Sequence, residues 1–267
     1  MRRIRIGERG IDYAHVHASR ETTPLTPDDI RRRVSEFEWY HRLDLGHGIV
    51  TPGSYDLRPL LGHYGLPEDL TGKTVLDVGP GHGFFAFEFE RRGGVVATAE
   101  LPNWIEHDAS PALHARFEAA GAAGNAYHQG AFGFAIAARQ SQVRRHFCNV
   151  YDLTPERVGT YDLVFCASVL LHLTDPLRAL FALRKVCGQQ AIISTGIDKS
   201  AWIFARPRAR FVGRLNGQAF WLPTVRCLEQ MALTAGFARV ERVSTFRLKS
   251  VDGQFDTPHG TIRAFVS

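Results

Sequence analysis

One stretch limits the fold of this chain more than any other: Val75-Leu76-Asp77-Val78-Gly79-Pro80-Gly81-His82-Gly83-Phe84-Phe85. It reads as a short apolar strand, a turn with three alternating glycines, and the start of an aromatic-rich helix. Glycine lets the chain turn sharply and brings its backbone against a ligand. Seventeen residues after Gly83, at the expected end of a second strand, stands Glu100. A carboxylate there can accept hydrogen bonds from both hydroxyls of a ribose. The pieces together make a nucleoside-binding half-site. Gly81-x-Gly83-x-x-Ala86 also satisfies the dinucleotide fingerprint, so this motif alone leaves NAD open.

The rest of the chain supports that frame. Strands are expected at Thr74–Val78, Val95–Ala99, near Val143–Cys148, at Leu163–Cys166 and at Ala191–Ser194, with two more near Ala238–Ser244 and Thr261–Val266. Helices are expected at Phe84–Arg92, Pro176–Val186 and Thr224–Ala235, with Gly93-Gly94 and Gly236 as stops. Strands separated by helices predict an α/β fold, a mostly parallel seven-stranded sheet with helices on both faces and right-handed crossovers. A content of 45% hydrophobic and 22% charged residues excludes disorder as the dominant state.

Residues 1–70 read as an N-terminal helical extension or lid, and 71–267 as the sheet domain. Thr26-Pro27-Asp28-Asp29 predicts a capped helix start, and the helix is expected to run on to Tyr40 with Ile30, Val34, Phe37 and Tyr40 on one face. A short helix is expected over 55–65. Between them, Trp39–Gly53 mixes aromatics, glycines and polar groups without a period, which suits a structured, functional loop. The stretch 101–142 is longer than a sheet crossover needs. It predicts a substrate-covering insertion or an oligomer surface, with a helix at Ala112–Ala120 and an apolar segment at Phe132–Ala138.

Several function classes fall away. No run of 18 apolar residues exists, and MRRIRIGERG lacks the apolar core of a signal peptide, so the expected location is cytoplasmic. Cys148, Cys166, Cys187 and Cys227 form no metal-ligand spacing and read as reduced thiols. The formal charge is +5, and its basic side is almost all arginine. Arginine suits fixed bidentate contacts to an anion, so the charge is weak support for a small anionic acceptor and slight support for RNA.

Asp77 precedes Gly79 by two residues and makes the motif D-x-G-x-G-x-G. That form resembles the first motif of class I S-adenosylmethionine (SAM) methyltransferases. The resemblance continues in Cys148-Asn149-Val150-Tyr151-Asp152-Leu153, in Tyr161–Pro176 and in Phe220-Trp221-Leu222-Pro223-Thr224, and covers roughly residues 36–267. It implies SAM as cofactor, with Asp77 at the methionine end, Gly79, Pro80, Gly81 and Gly83 as the loop, and Glu100 and Leu101 at the ribose. It implies Asn149, Val150 and Tyr151 around the adenine and Ala167 at the end of the fourth strand. Within the class, Trp39–Gly53 is similar to a W-[YF]-H-x-[IL]-[DE]-L-G-x-G-x-x-T-P-G signature in the group that contains the bacterial tRNA wobble-uridine carboxymethyltransferase. That enzyme has an aromatic where this chain has Leu171, and a longer N-terminal region. Both departures favour plain SAM over a carboxylated cofactor and count against tRNA as substrate.

The expected reaction is methyl transfer to a small molecule, O-methylation preferred, with a sugar, a natural product or a phosphorylated metabolite as acceptor. Other readings are a tRNA wobble-base transferase, a non-catalytic SAM-binding protein and an NAD-dependent oxidoreductase. His41 and His172 are the candidate bases, because an imidazole suits proton removal from a hydroxyl. Asp44 could orient either one or cap a turn, and His47 and His107 are weaker candidates. Tyr40, Trp104, Arg206 and Arg210 are the candidate acceptor contacts, the arginines as part of Arg206-Pro207-Arg208-Ala209-Arg210 with Arg214.

Overall fold

The computed structural model describes residues 24–125, 127–199, 206–213 and 218–267. The helix predicted at Pro27 forms as α1 (Pro27–Arg33). Thr26 caps it: its hydroxyl accepts the Asp29 amide N–H at 3.1 Å, and the Asp29 carboxylate accepts the Thr26 amide N–H at 3.3 Å. The expected continuation to Tyr40 does not occur. A 3₁₀ turn takes over at Val34–Glu36, and Phe37 is extended. The reason is tertiary: Phe37 stacks on Phe134 at 5.1 Å, and the Trp39 indole N–H donates to Val34 O at 2.8 Å, which a helical path would not permit. Residues 58–64 form a 3₁₀ helix rather than an α-helix.

The sheet elements in chain order are β1 (Thr74–Val78), α2 (Phe84–Arg91), β2 (Val95–Glu100), α3 (Pro111–Asn125), α4 (Tyr127–Arg139), β3 (Arg144–Phe147), α5 (Pro155–Val158), β4 (Tyr161–Ala167), α6 (Pro176–Val186), β5 (Cys187–Gly196), β6 (Ala209–Phe211), β7 (Trp221–Pro223), α7 (Val225–Thr234), β8 (Arg239–Lys249) and β9 (Asp256–Phe265). Seven strands pair in the order β3-β2-β1-β4-β5-β9-β8. The first five are parallel, and β9 runs antiparallel to both neighbours. β6 and β7 form a separate two-stranded ribbon. The last two strands extend well past their expected bounds, because β8 lies at the edge of the sheet with many exposed polar positions and so lacks an apolar period.

Strand order reverses between β1 and β4. The crevice outside the carboxyl ends of such a pair is where open α/β sheets hold ligands. Alternation along the strands sorts side chains to two faces. Leu76, Val78, Ala97, Ala99, Val164 and Cys166 join one core, closed by α6 and α7. Val75, Val96, Leu163, Phe165 and Ile192 join the other, closed by α2, α4 and residues from 30 to 70. Asp77 shares the parity of Val75, and Glu100 that of Val96, so both acids belong to the second face.

Candidate functional site

The glycine turn forms as expected at the end of β1. Gly79, Gly81 and Gly83 all have positive φ, at 72°, 56° and 88°. Each is also pressed by a neighbour. A Cβ on Gly79 would lie 2.4 Å from Val169 Cγ2, and one on Gly83 only 2.1 Å from Phe132 Cε2. On Gly81 it would lie 3.1 Å from His41 Cε1 and 3.6 Å from Tyr40 Cδ1. Conformation and space therefore both require glycine here. The contacts also show what surrounds the turn: the exit of β4, helix α4, and the Trp39–Gly53 loop.

That loop is welded onto the turn by a residue passed over in the sequence reading, His82. It is fully buried, and its Nδ1 accepts the Tyr40 amide N–H at 2.8 Å. Its only local signal is its place between two motif glycines. The Thr51 hydroxyl donates to His41 O at 2.6 Å and accepts from Leu43 N–H at 2.8 Å. Gly53 packs so tightly on the His41 carbonyl that a Cβ would overlap it. His41 is itself buried, with its ring 6.0 Å from Phe84. Tyr40 sits beside it, 4.7 Å from the Tyr55 ring. Asp44 caps a turn by accepting Gly46 N–H at 2.8 Å, and His47 lies in a surface recess with Arg139 and Gln140, where it does not adjoin the glycine turn.

Asp77 is 1% exposed. Burial, assisted by the charge of Glu100, pushes its carboxyl up to about 8 against the pull of the Ala86 amide N–H. Its Oδ2 has no hydrogen-bond partner among the described residues. A buried carboxyl oxygen left without a partner beside a glycine turn is what a ligand's hydroxyl, or an ammonium that favours the ionised form, would satisfy. Glu100 ends β2 almost fully buried, and burial raises its pKa, while the Arg145 guanidinium, with Nε 2.7 Å from Oε1, opposes that rise. Leu101 follows it, half-buried. Past β3, Val150 is buried and Asn149 Oδ1 accepts the Tyr151 amide N–H at 3.1 Å. Ala167 closes β4. This donor and acceptor set, two acids at successive strand ends around a glycine turn, fits the methionine and ribose ends of SAM.

The 101–142 stretch is tied to the carboxyl edge of the sheet. Asp108 Oδ2 accepts from Tyr151 Oη at 2.5 Å and from the amide and hydroxyl of Thr174 at 2.6 and 2.7 Å. Those donors hold its carboxyl below the usual range against the cost of burial. Behind this latch the Trp104 ring packs on His107 at 5.2 Å and Phe117 at 5.7 Å, and His107 lies 5.9 Å from His172. His172 Nδ1–H donates to Gln218 O at 2.7 Å, which fixes Nε2 as an acceptor. Burial first, with His107 and His259 adding, pushes its pKa down to about 4. An apolar cavity of about 200 Å³ adjoins the same turn, with Leu170, Pro176, Trp221 and Met231 in its wall.

Ser168 and His259 were not foreseen. Ser168 follows β4 with φ 56°, and its hydroxyl lies 3.1 Å from His259 Nε2, while His259 Nδ1–H donates to Thr257 O at 3.0 Å. The two are far apart in sequence, and no local pattern joins them. Of the arginine cluster, Arg206 and Arg210 are exposed, and Arg210 pairs with Asp198 at 3.3 Å from the β6–β7 ribbon. Arg214 lies outside the described residues. Among the described residues no group of three or more His, Cys, Asp or Glu is placed to hold a metal ion, and no helix is long and apolar enough to cross a membrane.

Comparison with known proteins identifies the family and the fold. A methyltransferase-domain family model matches residues 54–242. A tRNA U34 carboxymethyltransferase from Dichelobacter nodosus is 29% identical over 162 residues, 60% of this chain and 44% of that protein. A ubiquinone biosynthesis O-methyltransferase from Psychrobacter arcticus is 28% identical over 179 residues, 64% of this chain and 61% of that protein. The chain thus spans about half the length of these curated relatives. Among solved structures, the N-terminal domain of EvdMO1, determined with S-adenosylhomocysteine (SAH) and D-fucose, superposes with a TM-score of 0.64 at 16% identity, covering 91% of this chain and 98% of that domain. That likeness carries the fold. With that family model matched over more than half of this chain, the chain belongs to the methyltransferase-domain family.

Proposed function

We propose that the protein transfers the methyl group of SAM to a hydroxyl of a small-molecule acceptor. The observation that carries this reading is the tautomer of His172. Its Nδ1–H is committed to Gln218 O, so Nε2 stands as a hydrogen-bond acceptor at the carboxyl edge of the sheet. When bound, SAM supplies an electrophilic methyl on a sulfonium, so the protein's part is to position the nucleophile and exclude water. Asp77, Gly79, Pro80, Gly81, Gly83, Glu100, Leu101, Asn149, Val150, Tyr151 and Ala167 hold the cofactor. A pKa near 4 makes His172 a weak proton sink but keeps Nε2 open throughout the neutral range. It therefore orients the acceptor hydroxyl, and Trp104 and His107 cover it. Tyr40 and His41 bound the site from the glycine turn, and Arg210 on the ribbon and Arg206 just before it receive an anionic part of the acceptor. Leu171 in the adjacent turn is aliphatic and supports plain SAM as the methyl donor.

The test is a screen of catechols, sugars and sugar phosphates with SAM, scored by mass spectrometry for a 14 Da gain. His172→Ala is expected to keep SAH affinity and lose turnover by about 10²-fold. Full turnover in that variant refutes the assigned role. A tRNA acceptor is the second reading, favoured by the relative from Dichelobacter nodosus and by the Trp39–Gly53 loop. Salt-dependent tRNA binding that competes with turnover would promote it.

A further inference from the structure

The 101–142 stretch reaches the cofactor half of the site as well as the acceptor half. Arg145 on β3 donates from Nε to Glu100 Oε1 at 2.7 Å, and both side chains are about nine-tenths buried. The guanidinium carbon lies over two rings, 4.9 Å from the centre of Phe132 and 5.0 Å from that of Phe147. Phe132 comes from α4, is fully buried, and is the ring whose edge fills the space beside Gly83. One side chain of the insertion thus touches both the glycine turn and the cation that holds the ribose acid. Among the described residues, the charged or titratable groups facing Glu100 are Arg145 from β3 and Asp77 from β1.

We propose that Arg145 is a positioning residue for the cofactor: it takes Glu100 Oε1 and turns Oε2 to the ribose hydroxyls, and Phe132 keeps it in place. This rests on the reading of Glu100 as the ribose acceptor. A carboxylate this deeply buried takes up a proton when its cation is removed, and a protonated acid accepts one hydrogen bond fewer. The planar fork of arginine sets direction as well as charge, which a lysine would not reproduce. The insertion is then part of the cofactor site, and its removal would cost cofactor affinity as well as acceptor binding.

The test is calorimetric titration of the full chain with SAH between about pH 6 and pH 9. Arg145→Met is expected to lose about tenfold in affinity at neutral pH, to recover as pH rises, and to move the acid limb of the profile up by about one pH unit or more. Adding Glu100→Gln to that variant should remove the recovery. Should Arg145→Met fold poorly, Arg145→Lys keeps the charge and is expected to show a smaller loss with a limb shifted in the same direction. An Arg145→Met or Arg145→Lys profile that overlays the wild type, or a loss that does not change with pH, overturns the proposal. A wild type that does not bind SAH contradicts the assignment of Glu100 itself and is distinguishable from both.

Discussion

The two faces of the sheet are built from different chemistry. One is closed by α6 and α7 and filled by aliphatic side chains such as Leu76, Val164, Leu180, Leu183, Ile193 and Leu228. The other is crowded with rings: Trp39, Tyr64, Phe84, Phe85, Phe87, Phe89, Phe132, Phe134, Phe165 and Phe246. The same strands feed both. Helices pack regularly on the first face, where branched aliphatics interdigitate at close density. The second closes over Asp77 and Glu100 with α2, α4 and a loop, Trp39–Gly53, that has no regular repeat. Large rigid rings span such irregular gaps and lose few rotamers when buried. The face that holds the candidate site is thus the one where irregular chain, the Trp39–Gly53 loop, completes what α2 and α4 begin.

Substitutions can break that contrast. The largest effect is expected from Phe165→Ala, whose ring meets Phe85 at 4.5 Å and Phe89 at 5.1 Å and whose residue pairs with Asp77 in register. Chemical denaturation should show a loss of about 3–5 kcal/mol, and SAH affinity should fall with it. Leu180→Ala on the aliphatic face is expected to lose about 2–5 kcal/mol while leaving SAH affinity of the folded protein unchanged. Equal losses of SAH affinity in the two variants would erase the distinction between the faces.

A smaller effect is a slope with pH. Asp77 in the folded protein keeps a proton up to about pH 8 that the unfolded chain gives up near pH 4. Between those values the folded state binds more protons, so this group's contribution makes the ligand-free protein less stable as pH rises. The depressed imidazoles of His107, His172 and His259 act in the opposite direction below about pH 6.5. The difference in melting temperature between wild type and Asp77→Asn isolates the Asp77 part. That difference should shift against the wild type from pH 5 to pH 8, and a constant difference would count against a protonated Asp77. Least of all, Thr26→Ala should cost about 1 kcal/mol by removing the cap of α1, with no effect on SAH binding.

Legibility from the sequence follows the same division. β1, α2, the start of α1 and the bounds of α6 could be read because apolar period, caps and glycine stops act locally. The run from Ile30 to Tyr40 misled, since Phe37 and Trp39 answer to Phe134 and His82 across the fold and not to their helical neighbours. Asp77, Glu100 and the glycines were visible as a motif. Arg145 was not, because its pairing with Glu100 spans 45 residues. Ser168 and His259 lie 91 residues apart. Asp108 was visible only as one polar residue in a long insertion, and its role emerges once Thr174 and Tyr151 converge on it.

The central claim is that the two buried acids around the glycine turn hold the cofactor. Calorimetric titration of SAH into wild type, Asp77→Ala and Glu100→Ala tests it most directly. The account predicts saturable binding to the wild type and a loss of about tenfold or more in each variant, ~1.4 kcal/mol or greater. Wild-type affinity in both variants, with the fold intact, would contradict it.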